Sequence, residues 1–249
     1  ISIIEKSSHL WPIGFDRKVA RIVENKIKEN GIQIYLDEEV IEFKGNNGKL
    51  SSVILKSGKE IFADFAVITI GIKPNIGFLK DSGIAVEKGI LVDSYMRTNI
   101  QNLYAAGDVA QVFDPLYNVA ILHPTWGNAK KQGKIAARNM VGHNEKYEGA
   151  IPIQTIKIFG LTAIAVGITH SKKNFDEISW ISYQKDSCRK FVLENDRLFG
   201  AMILGKEINK KVIKPILKKA VFNKVLVHDQ INLLVNEDID FNDFLIALN

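Results

Sequence analysis

The residues best placed to do chemistry stand at the ends of apolar runs. Thr98–Val109 reads as a short apolar strand, Leu103-Tyr104-Ala105-Ala106, that stops abruptly in Gly107-Asp108. A glycine there lets another group approach the backbone closely, and the aspartate offers two acceptor oxygens just past the strand end. In open α/β sheets ligands gather at that carboxyl end. Gly-Asp also marks ordinary turns, and taken alone this stretch favours the turn. Ile1–Glu5 is a second such strand, with an acid at its end. In a dinucleotide-binding βαβ unit an acid in that position accepts hydrogen bonds from ribose hydroxyls, about 20 residues after a glycine-rich turn. Counting back from Glu5 runs past Ile1, so the phosphate-binding turn is expected upstream. A strand that simply ends in Glu fits this segment equally well. A third run, Ala63–Ile70, closes in Gly71-Ile72-Lys73-Pro74-Asn75.

Cys188 is the only cysteine among 249 residues. That excludes an intrachain disulfide, a Cys-x-x-Cys pair and a thiolate cage, so any redox chemistry must be carried by a bound cofactor. The five histidines lack zinc-ligand spacing, and neither a metal site nor a catalytic side chain is assigned.

The elements that must position these residues follow from periodicity. Asp16–Asn30 is predicted as a helix with Val19, Ile22, Val23 and Ile27 on one face, Asp16 as its cap and Gly31 as its stop. Segments 32–36, 40–43 and 52–55, separated in part by glycine turns, predict a small antiparallel excursion. The apolar run 63–71 suits a parallel strand buried on both faces. After Asp108 a loop leads to Leu122, then a helix from about Gly127 to Met140. Its small face of Ala129, Gly133, Ala136 and Ala137 implies a very close neighbour. From Ile151 onward strands alternate with polar turns and end in helical stretches at 211–222 and near 240–248, an α+β domain with no chemistry of its own.

Composition narrows the class. A hydrophobic share of 46% with 24% charged residues describes a soluble globular protein with a real core. No apolar run reaches the roughly 18 residues of a membrane helix. The net charge of +5 comes from scattered lysines without a basic stripe, so neither membrane nor nucleic acid is expected as a partner. One cysteine fits a reducing, cytoplasmic setting.

Glu5, the run ending in Gly71, and Thr98–Asp108 followed by Thr125-Trp126-Gly127 occur in an order that resembles the pyridine nucleotide-disulfide oxidoreductase superfamily of two-dinucleotide-binding flavoproteins. The similarity is greatest to NADH oxidases, rubredoxin reductases and the flavin part of nitrite reductases. The resemblance implies an α/β, partial Rossmann-like fold: the remainder of an NAD-binding domain over 1–76, the second half of an FAD-binding domain over 77–149, and an α+β interface domain over 150–249. It implies a fragment of an FAD-dependent NADH:acceptor oxidoreductase, lacking the first FAD half. Glu5 resembles the acid that holds the adenine ribose of NAD, where a carboxylate would repel the 2′-phosphate of NADP, so NADH is favoured over NADPH. Gly71 resembles the glycine beside the nicotinamide nucleotide. Asp108 resembles the aspartate that bonds the ribityl chain of FAD, with Gly107 and Val109 giving backbone contact. Thr125, Trp126 and Gly127 fall at the pyrimidine edge of the flavin, where a helix N-terminus would favour the charge of the reduced ring.

The acceptor implied is oxygen, a small redox protein or a fused redox domain, and homo-oligomerisation is possible in such families. Disulfide-reducing members carry a His-Glu pair near the C-terminus; here His228 precedes Asp229 without such a partner, which favours electron transfer without a disulfide substrate. The alternatives are a scaffold fragment unable to hold FAD alone, or a coenzyme A disulfide type reductase.

Overall fold

The computed structural model describes residues 1–169, 175–206, 208–227 and 235–236. It contains two compact units, one built from 1–69 together with the chain from 153 onward, the other from 70–152. The first unit opens with strand β1 (Ser2–Ile4), helix α1 (Arg17–Glu29) and strand β2 (Gln33–Tyr35), with β1 and β2 paired in parallel. Helix α1 starts where the sequence says it should: the Asp16 carboxylate accepts the Val19 N–H, and the chain turns away at Gly31 with φ +76°. Lys26 and Lys28 in its last turn suit the negative end of the helix. Strands β3 (Val40–Asn46), β4 (Lys49–Leu55) and β5 (Glu60–Phe62) form an antiparallel meander that takes in the expected segments 40–43 and 52–55; the segment 32–36 instead supplies β2, paired in parallel with β1, and β5 was not expected.

The run 63–71 is not a buried strand. Among the described residues only its first member is held by a strand, the Ala63 N–H donating to the Ser51 carbonyl of β4, and Phe65, Val67, Ile68 and Ile70 are all exposed, Ile70 to 94%. A strand buried on both faces needs neighbours in its sheet, and the β1–β2 sheet has only its own two strands.

In the second unit, β6 (Ile90–Leu91) pairs in parallel with β7 (Ala110–Asp114), which forms a hairpin with β8 (Val119–Leu122). The expected loop after Asp108 is therefore a β-hairpin. The expected strand before it is not formed either: Thr98–Leu103 is a tight turn, and only one bridge, Arg97 to Tyr104, joins its arms. Helix α2 (Trp126–Met140) buries Gln132, Ile135, Ala136 and Asn139. Gly133 and Ala137, on the small face expected to have a close neighbour, are exposed instead, because the buried stripe is rotated away from them. Met96, Val112, Ile135, Ala136, Tyr147 and Ala150 make the core of this unit.

Strands β9 (Ile153–Ile158), β10 (Leu161–Gly167), β11 (Asp176–Ser182), β12 (Ser187–Glu194) and β13 (Arg197–Lys206) return the chain to the first unit. They form one antiparallel sheet in the order β11-β12-β13-β10-β9, followed by helix α3 (Lys210–Phe222). The apolar stripe of α1 packs on this sheet: Val19, Ile22, Val23 and Ile27 share a core with Leu161, Ala163, Ala165, Met202 and Leu204. Lys190 reinforces the joint. Its ammonium is 3% exposed, 2.6 Å from Asp16 and 2.9 Å from Glu177. The expected helix near 240–248 and the His228–Asp229 pair lie outside the described residues.

Candidate functional site

The Gly107–Val109 bend is held between the approach to β6 and the first turns of α2. Gly89 lets the approach to β6 run against it: a Cβ at that position would stand 2.5 Å from the Val109 carbonyl oxygen. The Ile90 N–H donates to that same oxygen at 2.7 Å. Gly107 takes φ +89°, a left-handed conformation that favours glycine, and its carbonyl accepts the Ala110 N–H at 3.0 Å. The Gly107 N–H donates to Gln132 Oε1 on α2 at 2.8 Å. A Cβ at Gly107 would lie 3.8 Å from that of Ala129, so the bend rests against the first turns of the helix.

The exposed side of this bend is unsatisfied. The Asp108 carboxylate is exposed and takes no hydrogen bond from a described residue, and the Asp108 and Val109 N–H groups find no acceptor among them. At the head of α2, Thr125 Oγ1 accepts the Asn128 N–H at 3.4 Å, whereas the Trp126 and Gly127 N–H groups have no described acceptor. The first turn carries no acid, so the partial positive charge of the helix end is uncancelled there. Trp126 is 80% exposed, with Lys130 Nζ 5.2 Å from its ring centre. One structural patch therefore offers four free N–H donors, a helix end and an acceptor carboxylate. That set suits a ligand with hydroxyl donors and an electron-rich, acceptor-bearing ring or an anion.

Two buried groups behind the patch escaped the sequence reading. Gln132, 1% exposed, is one of two amides, with Asn139, on the buried stripe of α2, and that position is the signal that could have revealed it. Asp114 and His123 form a buried pair, Oδ2 to Nε2 2.6 Å. Asp114-Pro115 through Asn118 is a readable turn signal, but pairing its aspartate with a histidine nine positions on requires the hairpin itself. Burial, and after it the Asp114 charge, raises the phenol pKa of Tyr117 beside this pair.

Glu5 lies in the other unit, at the end of β1. Its N–H donates to the Tyr35 carbonyl at 2.9 Å and its Oε1 accepts the Ser7 N–H at 2.8 Å, while Oε2 has no described partner. A half-occupied carboxylate past a parallel strand end can still accept from a diol. Gly71, with φ +113°, has no atom within 4 Å of the position a Cβ would take. The structure thus brings Gly107, Asp108 and Val109 to the helix that Thr125, Trp126 and Gly127 begin. Among the described residues no three His, Cys, Asp or Glu side chains gather as metal ligands. Cys188 is buried, and burial pushes its thiol pKa up to about 12. No helix among the described residues is long and apolar enough to cross a membrane.

The family model for pyridine nucleotide-disulphide oxidoreductases matches residues 1–137. The chain belongs to this family. Within the family it is 28% identical, over 206 residues, to a nitrite reductase [NAD(P)H] of Bacillus subtilis, covering 82% of this chain and 25% of the relative. It is 28% identical over 193 residues to an NADH-rubredoxin oxidoreductase of Clostridium acetobutylicum, covering 76% of this chain and 44% of that protein. Among solved structures, a NAD-dependent persulfide reductase from A. fulgidus superposes with a TM-score of 0.83 at 25% identity, covering 92% of this chain and 45% of the other. The water-forming NADH oxidase from Lactobacillus brevis gives 0.83 at 21% identity, covering 99% and 59%, and shares the fold. The chain therefore spans between a quarter and three-fifths of these family members.

Proposed function

We propose that this chain is part of an FAD-dependent NADH:acceptor oxidoreductase. The observation that carries the reading is the Gly107–Val109 bend seated on the first turns of α2, its carboxylate and two N–H groups, with two more at the head of the helix, taking no partner among the described residues. The residues fit the group: Asp108 accepts from ribityl hydroxyls, the bend supplies N–H donors, and the N-terminus of α2 faces the electron-rich edge of the ring. Bound flavin would supply the chemistry, taking hydride from NADH and passing electrons onward. Glu5 holds the adenine ribose through its unpaired oxygen and disfavours a 2′-phosphate, so NADH is preferred to NADPH. The domain assignment of 1–76, 77–149 and 150–249 belongs to the same proposal, as do the roles of Gly71 and Thr125.

The named relatives use different acceptors by their own titles, and oxygen, a small redox protein and a fused redox centre all remain within the proposal. The narrower alternative is a coenzyme A disulfide type reductase, in which the buried Cys188 would take no part. The test is spectroscopic. Full-length protein purifies yellow and bleaches anaerobically with NADH; a colourless protein indifferent to both nucleotides overturns the reading. The exposed apolar run through Phe65 and Ile70 favours a second reading for the chain in isolation, as an association module. Sedimentation with added FAD separates them: flavin-free oligomers support the module.

A further inference from the structure

The Asp114–His123 pair has no task in binding as described so far, yet it is the most buried titratable pair of the second unit. The Asp114 side chain is fully buried and that of His123 is 6% exposed. Asp114 Oδ1 accepts the Leu116 and Tyr117 N–H groups at 2.7 and 3.1 Å, which closes the turn of the β7–β8 hairpin. Its Oδ2 faces His123 Nε2 at 2.6 Å. A carboxylate only accepts, so Nε2 is the donor and the bond fixes the orientation of the ring. The main chain then carries this fixed point forward. The His123 carbonyl accepts the Thr125 N–H at 2.8 Å and lies 3.5 Å from Asn128 Nδ2, and Thr125 in turn caps α2. Pro124, with its locked φ, stiffens the short link between them. The imidazole thus pins to the hairpin turn the short link that leads from β8 into the head of α2.

Resting on the flavin reading above, we propose that Asp114 and His123 are positioning residues for the flavin edge. They set where the Trp126 and Gly127 N–H groups stand, and so how strongly the site favours reduced over oxidised cofactor. A helix end acts steeply with distance within its first turn, so slack in the link weakens that preference before it unfolds anything.

The test uses the flavin-loaded full-length protein, with the midpoint potential measured by anaerobic titration beside FAD affinity and thermal stability. His123→Ala is expected to reduce the preference for reduced flavin about tenfold, which for a two-electron couple is about 30 mV downward. His123→Gln, whose amide nitrogen can replace the Nε2 donor, returns most of it. If His123→Ala fails to fold, His123→Met against His123→Gln makes the same comparison, one keeping only size and the other the donor. Variants that lose stability while holding the wild-type potential overturn the proposal and leave the pair as a fold staple. A full-length wild-type protein that takes up no flavin overturns the flavin reading itself, an outcome distinct from an unmoved potential in loaded protein.

Discussion

Replacing Gln132 by leucine probes the bend without touching any group that would meet a ligand. Gln132 is 1% exposed and its Oε1 is the acceptor for the Gly107 N–H at 2.8 Å. Leucine keeps nearly the same volume, so the cavity contribution is small and the lost hydrogen bond dominates. Leaving a buried donor unmade costs about 1–3 kcal/mol. Gly107 is half-buried and can recover part of that from water, so about 1.5 kcal/mol is expected for the unfolding free energy. Chemical denaturation of the isolated chain, followed by circular dichroism, reads it as a shifted midpoint with an unchanged slope. The same slack should reach FAD in the full-length protein. If the ligand must re-form the bend at that free energy, affinity falls roughly tenfold. A variant within about 0.3 kcal/mol of wild type, with FAD affinity unchanged, would refute the claim that Gln132 holds the bend.

Further outcomes follow from other residues. Lys190→Met removes the buried ammonium that Asp16 and Glu177 share; because these carboxylates are a quarter to a third exposed, the loss should be about 2 kcal/mol rather than the full penalty of a buried pair, and a loss near zero in urea unfolding contradicts it. The pH dependence has a definite sign. Burial raises the Asp16 pKa, but the Lys190 bond, the Val19 N–H and the Lys190 charge together bring it below the usual value. That stability is therefore present above about pH 4 and drains away as pH falls through the lower folded value, and Lys190→Met should flatten this stretch of the profile. Cys188 should resist a thiol reagent at mildly alkaline pH until the protein is unfolded, since its pKa is pushed up to about 12; rapid labelling of native protein would show the site open. Glu5→Ala should reduce the preference for NADH over NADPH about tenfold in kcat/KM, and an unchanged ratio would remove Glu5 from the ribose.

Local rules made part of the fold legible. The α1 face, its Asp16 cap and Gly31 stop, and the antiparallel pairing of 40–43 with 52–55 are short-range patterns, and the structure has them; the segment 32–36 pairs instead with β1, a partner no local pattern names. The run 63–71 failed because apolarity reports only a wish for burial; whether a sheet receives it depends on strands elsewhere. Leu103–Ala106 failed for a related reason, since Asn102 at φ +63° folds the segment into a turn that one bridge closes. The small face of α2 was half right: Ala136 is buried and Ala129 meets the Gly107 bend, whereas Gly133 and Ala137 are exposed because size shows what could pack closely and not which way the buried stripe turns. Of the candidate site, the exposed half was readable as motifs, Gly107-Asp108 and Thr125-Trp126-Gly127. The supporting half was not. Gln132 and the Asp114–His123 pair act across 25 and 9 positions of sequence, distances at which no local pattern speaks.

The most direct measurement is the titration of flavin-free full-length protein with FAD, comparing wild type with Asp108→Ala. Saturable binding by wild type is predicted, with affinity lower by about tenfold to a hundredfold in the variant, the worth of a hydrogen bond to a charged group. Equal affinities in the two proteins, or none in wild type, would contradict a flavin site at the Gly107–Val109 bend.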